Sequence, residues 1–398
     1  MSGKVLVAGG GVICGIGHTL DACLQTFARM EPGMGAMQYL RSAHKNTFPV
    51  AEVKADNATL AQMAGMPEHT TRTALLSMIA AKAAWDSTGL GNISDYRVGF
   101  VSANTVGGMD KTEDFMEDFL PDASKGRLKG VVNHECGTIT ELVGDALGIR
   151  HHMSTISTAC SSGANAMMYG SRLIRNGVVD IVIAGGTDAL TRFTLNGFNT
   201  LMILDQQKCR PFDDTRTGLN LGEGAGYVVL VSEKIAAQLP QGAWCSLSGF
   251  ANANDAYHQT ASSPDGTGNY LAMKGALEMS GLQANDIAYI NLHGTGTQNN
   301  DVSEGTAIVR LFGATIPPAS STKSFTGHTL GASGGIEAVF SALAVKEGII
   351  YPNAQFTTQM KELPFSPATT FSKGNDLRHV MSNSFGFGGN CSSVIFSR

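Results

Sequence analysis

Three short segments carry side chains able to do chemistry together. Cys160 lies in Ser157-Thr158-Ala159-Cys160-Ser161-Ser162-Gly163-Ala164-Asn165-Ala166, a run of small residues opening a helix-forming stretch. His293 lies in Asn291-Leu292-His293-Gly294-Thr295-Gly296-Thr297, and His328 ends Lys323-Ser324-Phe325-Thr326-Gly327-His328. A cysteine attacks as its thiolate, and a helix start lowers a thiol's pKa through the dipole and free N–H groups. Small neighbours around Cys160 permit a tight turn and close approach of a substrate. Two histidines with a lysine supply acid/base groups and donors for a developing oxyanion. The set reads as a thiol nucleophile with its helpers.

Other motifs weigh less. Gly9-Gly10-Gly11 with Gly15 and Gly17 misses the G-x-G-x-x-G spacing of a dinucleotide loop, and no G-x-x-x-x-G-K-[ST] occurs. Gly331-Ala332-Ser333-Gly334-Gly335 satisfies G-x-S-x-G, the motif of a serine hydrolase. Its triad partners, Asp376 and His379, come in the right order but stand only three apart. Adjacent His151 and His152 point away from each other and lack a surrounding Cys/Asp/Glu set, so no metal site is expected.

The elements that must position these residues alternate. Val5–Val7, Arg97–Val101, Ile181–Ala184 and Tyr227–Val231 read as buried strands, with helices over Thr71–Thr88 and Ser162–Asn176. Thr155–Thr158 is strand-like and leads into Cys160. After Trp244 the pattern restarts: strands over Ser246–Phe250, Ile287–Leu292 and Val394–Phe396, helices over Gly268–Ser280 and Gly334–Glu347. The reading is α/β, with two successive halves, 1–245 and 246–398, inferred from element order because no residue-level repeat exists. Cys160 then comes from one half and both histidines from the other, with a cleft at their junction.

Composition bounds the function. Of 398 residues 43% are hydrophobic and only 15% charged, which fits a large buried sheet or an oligomer covering an apolar face. A net charge of −5 without basic runs argues against nucleic acid or a membrane surface as partner. Seven scattered cysteines with no C-x-x-C read as reduced thiols of a cytoplasmic protein. The apolar Val5–Ile16, with Gly-Gly-Gly in its middle, reads as a buried first strand followed by a turn rather than a signal segment, and no stretch is long enough to span a membrane.

Over nearly its whole length the chain resembles the β-ketoacyl-acyl-carrier-protein synthase family, in the elongating Cys-His-His branch of the thiolase superfamily. The resemblance rests on Thr158–Ala164, Ala184-Gly185-Gly186-Thr187-Asp188-Ala189, Arg210-Pro211-Phe212-Asp213, Gly222-Glu223-Gly224-Ala225 and Asp255-Ala256-Tyr257-His258. It continues through His293–Thr297 with Asp301 and Glu304, Lys323–Glu337, and Asn383-Ser384-Phe385-Gly386-Phe387-Gly388-Gly389-Asn390. It implies a thiolase-like fold, two α/β halves in an αβαβα stack, in a homodimer that meets an acyl carrier protein. Cys160 would hold the acyl chain as a thioester. His293 and His328 would donate to the malonyl thioester oxygen, and Lys323 would orient the region around His328. The N–H groups of Cys160 and Phe387 would form an oxyanion hole, with Phe387 also a gate. Thr295 and Thr297 would bond the pantetheine arm, and Val106 and Phe385 would face the acyl chain. Asn291, Glu337, Ser382 and Asn383 match a cluster that braces the site or holds a monovalent cation; no other cofactor is implied.

Departures touch the substrate rather than the catalytic set. Gln298 stands where the family usually has proline, and Gln259-Thr260-Ala261-Ser262-Ser263-Pro264 alters the entrance. The segments 188–198 and 218–223 are reminiscent of synthases from polyene pigment pathways, so fatty acid elongation competes with a secondary pathway. A subunit needing a chain-length partner, and a thiolase using Cys391 as second cysteine, are further alternatives. For an acidic carrier, Lys125, Arg127 and Lys129, with Arg72, are the local basic candidates.

Overall fold

Strands buried on both faces organise the chain. The computed structural model describes residues 3–398. Its first half runs β1 (Val5–Cys14), α1 (Leu20–Ala28), α2 (Asn57–Ala64), α3 (Arg72–Asp86), β2 (Val98–Ala103), α4 (Met109–Phe119), α5 (Cys136–Ala146), β3 (His152–Ile156), α6 (Ser162–Arg175), β4 (Ile181–Asp188), α7 (Arg192–Thr200), β5 (Gly224–Ser232) and α8 (Glu233–Ala236). The second runs β6 (Cys245–Asn254), α9 (Thr267–Ser280), β7 (Tyr289–Asn291), α10 (Gln298–Phe312), β8 (Ala319–Ser320), α11 (Lys323–Thr326), α12 (Ser333–Glu347), β9 (His379–Gly386) and β10 (Asn390–Ser397).

The strands lie in the order β3-β2-β4-β5-β1-β6-β10-β9-β7-β8. Outward from the β1/β6 junction, each half places its first, fifth, fourth, second and third strand in turn. The senses also match. The second strand is parallel to the third and fourth, while the fifth is antiparallel to the fourth and first. Two residue pairs, Leu6 with Ser246 and Val7 with Cys245, join the halves. The duplication is therefore one of topology, without a repeat in the residues.

Period-two alternation feeds two cores from one strand. In β4, Ile181 and Ile183 face the core under α3, whereas Val182 and Ala184 face the opposite one. α3 packs on β1, β4 and β5, and α9 packs on β6 and β10, so these helices form the outer layers. α6 and α12 touch strands of both halves and form the middle layer, giving the αβαβα stack. α12 has no solvent face, being buried from Ser333 through Val345.

Two details differ from the sequence reading. Gly9–Gly11 lie inside β1, paired with β5, rather than in a turn after a short strand. The strand before Cys160 is His152–Ile156, so Ser157 and Thr158 already belong to the turn. Among the described residues no helix is long and apolar enough to cross a membrane.

Candidate active site

The middle helices α6 and α12 begin side by side. A Cβ on Gly163 would lie 2.4 Å from the backbone nitrogen of Gly335, so only glycine permits this approach. Ahead of α6, Ala159 holds a left-handed φ of 52°, a costly conformation for a residue with a Cβ. It turns the chain so that Cys160 projects into a cleft of about 390 Å³ between the halves. Ser162 fixes that turn: its Oγ accepts from Thr158 N–H at 2.7 Å and donates to the Ala159 carbonyl at 2.5 Å.

Ahead of α12, His328 brings Nε2 to 3.1 Å from Cys160 Sγ. Leu330 N–H donates to its Nδ1 at 3.2 Å, and Ser333 Oγ lies 3.0 Å from the same nitrogen. An accepting Nδ1 assigns the proton to Nε2, facing the cleft. His293 follows β7, its ring edge-on to that of His328 with centroids 5.5 Å apart. The Lys323 ammonium sits 3.3 Å from His293 Nδ1, donates to the His293 carbonyl at 2.7 Å, and bonds Glu337. An ammonium can only donate, so His293 also carries its proton on Nε2. Lys323 thus orients His293, not the His328 region expected from the resemblance. The orienting groups of His328 are Leu330 and Ser333.

Cys160 Sγ and a nitrogen of each histidine all lie within 4.8 Å of one another. Burial holds both imidazoles well below their ordinary pKa, with Lys323 pushing the same way, so both are neutral N–H donors. Burial also pushes the Cys160 thiol up to about 11, outweighing the pull of Lys323 and of the Phe387 and Cys160 N–H groups. The helix-start lowering expected for Cys160 is therefore overridden: Cys160 precedes α6 by two residues and lies in a dry site. A cation bound by this trio would displace both Nε2 protons beside an ammonium, so the site suits anionic oxygen instead.

Two buried acids shape the His293 turn. Glu304 accepts from the N–H groups of His293 and Gly294, and Asp301 from those of Thr295 and Gly296. Thr295 and Thr297 share a 3.0 Å hydroxyl contact on the cleft wall. Phe385 lines the cleft against the His293 ring, and the half-buried Phe387 lines it as well. A Cβ on Gly386 would fall 3.1 Å from Cys160 N, so glycine lets the Phe387 segment approach Cys160.

Some predicted residues lie elsewhere. Val106 is packed among Leu190, Leu195, Leu219 and Leu330 and does not line the cleft. Asn291 and Ser382 are register partners on β7 and β9, but Asn383 spends its side chain on Glu304 and Ser393. Arg72 is no surface cation: its guanidinium is buried against Glu223, because a side chain bonded to Val53 and Ala55 carbonyls cannot reach solvent. Lys125 pairs with Asp122, while Arg127 and Lys129 line a separate cavity. Asp376 bonds Arg378 and Arg398, and His379 bonds Ser397, so no hydrolase triad assembles on Ser333. Cys391 donates to Asn269 at 3.1 Å, outside the cleft. The sequence reading missed Phe198, whose ring stacks on Phe387 at 5.8 Å, and Met202 and Ile203 beside it. The signal available was the helical spacing of Leu195, Phe198 and Met202 in and just after α7.

Family models for the N-terminal and C-terminal domains of β-ketoacyl synthases match residues 4–236 and 244–357. A 3-oxoacyl-[acyl-carrier-protein] synthase 2 of Staphylococcus aureus is 32% identical over 322 residues, 79% of this chain and 74% of its own length. Among solved structures, the ishigamide ketosynthase/chain length factor superimposes with a TM-score of 0.93 at 26% identity, covering 100% of this chain and 99% of its own. A ketosynthase (ApeO) solved with its chain length factor (ApeC) from Xenorhabdus doucetiae gives 0.84 at 29%, covering 99% and 98%. With a buried thiol beside two oriented imidazoles and both family domains matched along the chain, the protein belongs to the β-ketoacyl synthase family of acyl-transferring, thiolase-fold enzymes.

Proposed function

We propose that the protein joins an acyl group held on Cys160 to the two-carbon unit of a malonyl thioester presented by an acyl carrier protein. The observation that carries this is the pair of neutral imidazoles, both protonated on Nε2 and each with a ring nitrogen within 4.8 Å of Cys160 Sγ. Cys160 Sγ attacks the acyl thioester carbonyl. The tetrahedral oxyanion takes the N–H groups of Cys160 and Phe387, the C–S bond to the carrier arm breaks, and the thiol proton ends on the departing thiol. Thr295 and Thr297 hold that arm in the cleft. The malonyl thioester then enters, its carbonyl oxygen accepting from His293 and His328. The carboxylate's C–C bond breaks, CO2 leaves, and the electron pair passes to the enolate. The enolate carbon attacks the Cys160 thioester, the C–S bond breaks, and one solvent proton restores the thiol. Neither histidine needs to change charge, which fits their depressed pKa values. Each lost donor is worth ~10²–10³ in rate.

Asn291 keeps a buried Oδ1 and Nδ2 without protein partners, and Glu337 a buried Oε2. These orphaned oxygens, with Ser382, fit a monovalent cation that would fix the Lys323–Glu337 side of the site. Phe387, stacked on Phe198, serves as the gate. Lys125, Arg127 and Lys129 are the carrier-facing cations, and a homodimer in the cytoplasm is the working assembly. The likeness to two ketosynthases described with chain length factors favours a second reading, in which the partner is a chain-length subunit and the product a polyene or polyketide rather than a fatty acid.

Intact-protein mass spectrometry after incubation with acyl-carrier thioesters of graded length tests the proposal. The expected result is one acyl adduct with a chain-length optimum, absent in Cys160→Ala. An adduct persisting in Cys160→Ala, or none with any chain on folded protein, would sink it.

A further inference from the structure

We propose that Asn390 is a positioning residue that ties the Phe387 segment to the nucleophile turn and so sets the spacing of the two oxyanion donors. The inference rests on the acyl-transfer reading above. Asn390 follows Gly386-Phe387-Gly388-Gly389 directly and opens β10. Its Oδ1 receives Ser161 Oγ at 2.6 Å, Asn165 Nδ2 at 2.9 Å and Asn252 Nδ2 at 2.7 Å. Ser161 adjoins Cys160, and Asn165 also donates to Thr158 Oγ1 at 2.9 Å. Asn252 and Ser392 both bond Asn165 Oδ1, closing the net.

The logic is geometric. The two N–H groups come from segments 227 residues apart in the chain, Cys160 and Phe387, and no strand pairing joins them. Around Phe387 the backbone is held by few bonds of its own: Gly388 and Gly389 hold φ of 77° and 78°, Gly388 is exposed, and the segment is tied by Gly388 N–H to the Gln259 carbonyl and by the Gly389 carbonyl to Asp255 N–H. One carbonyl oxygen drawing donors from the turn, from α6 and from β6 fixes where that segment returns to the sheet. A misplacement of about 1 Å at a reacting centre costs ~10²-fold in rate. Asn390 touches neither the thiol nor the cleft wall, so it acts through the backbone it anchors.

Two reactions of one thiol separate this role from general damage. Acyl transfer to Cys160 builds a tetrahedral oxyanion, whereas alkylation by iodoacetamide is a direct displacement that builds none. For Asn390→Leu, acyl transfer from an acyl-carrier thioester is expected to fall at least tenfold with KM unchanged, while Cys160 alkylation, which loses only the pull of the Phe387 N–H on the thiolate, falls by a several-fold smaller factor. Asn390→Asp keeps an acceptor at the same place, and the ratio of acylation to alkylation should return to within about threefold. Should the leucine variant not fold, Asn390→Ala carries the same expectation. Equal loss in both reactions, an unchanged acylation rate, or no recovery with aspartate would overturn the proposal. A wild-type enzyme that is alkylated at Cys160 yet accepts no acyl group would instead overturn the acyl-transfer reading on which it stands.

Discussion

The two halves share one strand plan but use its exits differently. At the exit of the second strand, the first half has Asn104 and the second His293. At the exit of the third, Cys160 faces His328. At the end of the fourth, Asp188 corresponds to Phe387. In the first half two of these exits only brace. Asn104 bonds the Cys136 carbonyl, and Asp188 takes the N–H groups of Thr105, Val106 and Gly331, its pKa pushed up to about 6 by burial. In the second half every exit faces the cleft. One half thus holds Cys160 rigidly, and the other surrounds it with N–H donors. A duplicated frame allows this because strand-exit loops can change while both faces of each sheet stay packed.

The largest way to break this contrast lies in two buried ion pairs, one within each half: Arg72–Glu223 and Lys323–Glu337. Lys323→Met leaves Glu337 uncompensated and should cost ~3–5 kcal/mol in urea unfolding. It also frees the His293 tautomer, so condensation should fall even at temperatures where the variant is folded. Arg72→Met strands Glu223 and should cost about the same stability, but with turnover within about threefold of wild type. If Lys323→Met with Glu337→Gln regained both stability and full activity, Lys323 would be a structural cation like Arg72, and the contrast would fail.

The histidines come next. Either His293→Ala or His328→Ala removes one donor and should slow CO2 release from the malonyl thioester by ~10²–10³. Only His328 contacts Cys160 Sγ, so only His328→Ala should also slow single-turnover acylation. Equal slowing of acylation by both substitutions would mean that the second half acts as one undivided field.

A pH series sharpens the nucleophile's side. With the thiol pushed up to about 11, the thiolate fraction at pH 7 is about 10⁻⁴ and rises tenfold per pH unit below the pKa. Alkylation of Cys160 should therefore climb with unit slope between pH 6 and 9.5, about a hundredfold from 7 to 9. Both imidazoles are held well below 6.5, so lowering pH through 6.5 leaves them neutral and adds no inflection there. A plateau near pH 8 would show that helix dipoles and Lys323 outweigh burial after all.

Much of this was legible in the residues because catalysis concentrates in loops with distinctive glycine and threonine spacing. Val and Ile runs announced β2, β4 and β5, and the small residues after Cys160 announced the tight turn. The identity of the cluster was legible; its wiring was not. Lys323 orienting His293 depends on how α11 folds back toward β7, which no local pattern encodes. The same holds for Arg72, whose charge suggested a surface and whose partner Glu223 stands 151 residues away. β9 escaped notice because Ser382, Asn383 and Ser384 are polar yet wholly buried, so the strand carries no apolar signature. The thiol pKa was misjudged because burial, a property of the assembled layers, opposes the local helix effect.

The smallest test concerns the first residue of each middle helix, where the halves again correspond. Ser162 opens α6 and pins the nucleophile turn; Ser333 opens α12 and supports His328. Each serine is one of several contacts on its loop, and a single hydrogen bond is worth ~0.5–1.5 kcal/mol net. Both Ser→Ala changes should thus cost roughly two- to tenfold in acylation, but by different routes. Ser162→Ala loosens the turn that carries Cys160, so alkylation should change along with acylation. Ser333→Ala leaves the Leu330 N–H on His328 Nδ1, so the tautomer survives and alkylation should stay at the wild-type rate. A complete loss on Ser333→Ala would instead restore the G-x-S-x-G serine as a nucleophile. The thiol between the two helix starts would then be a bystander.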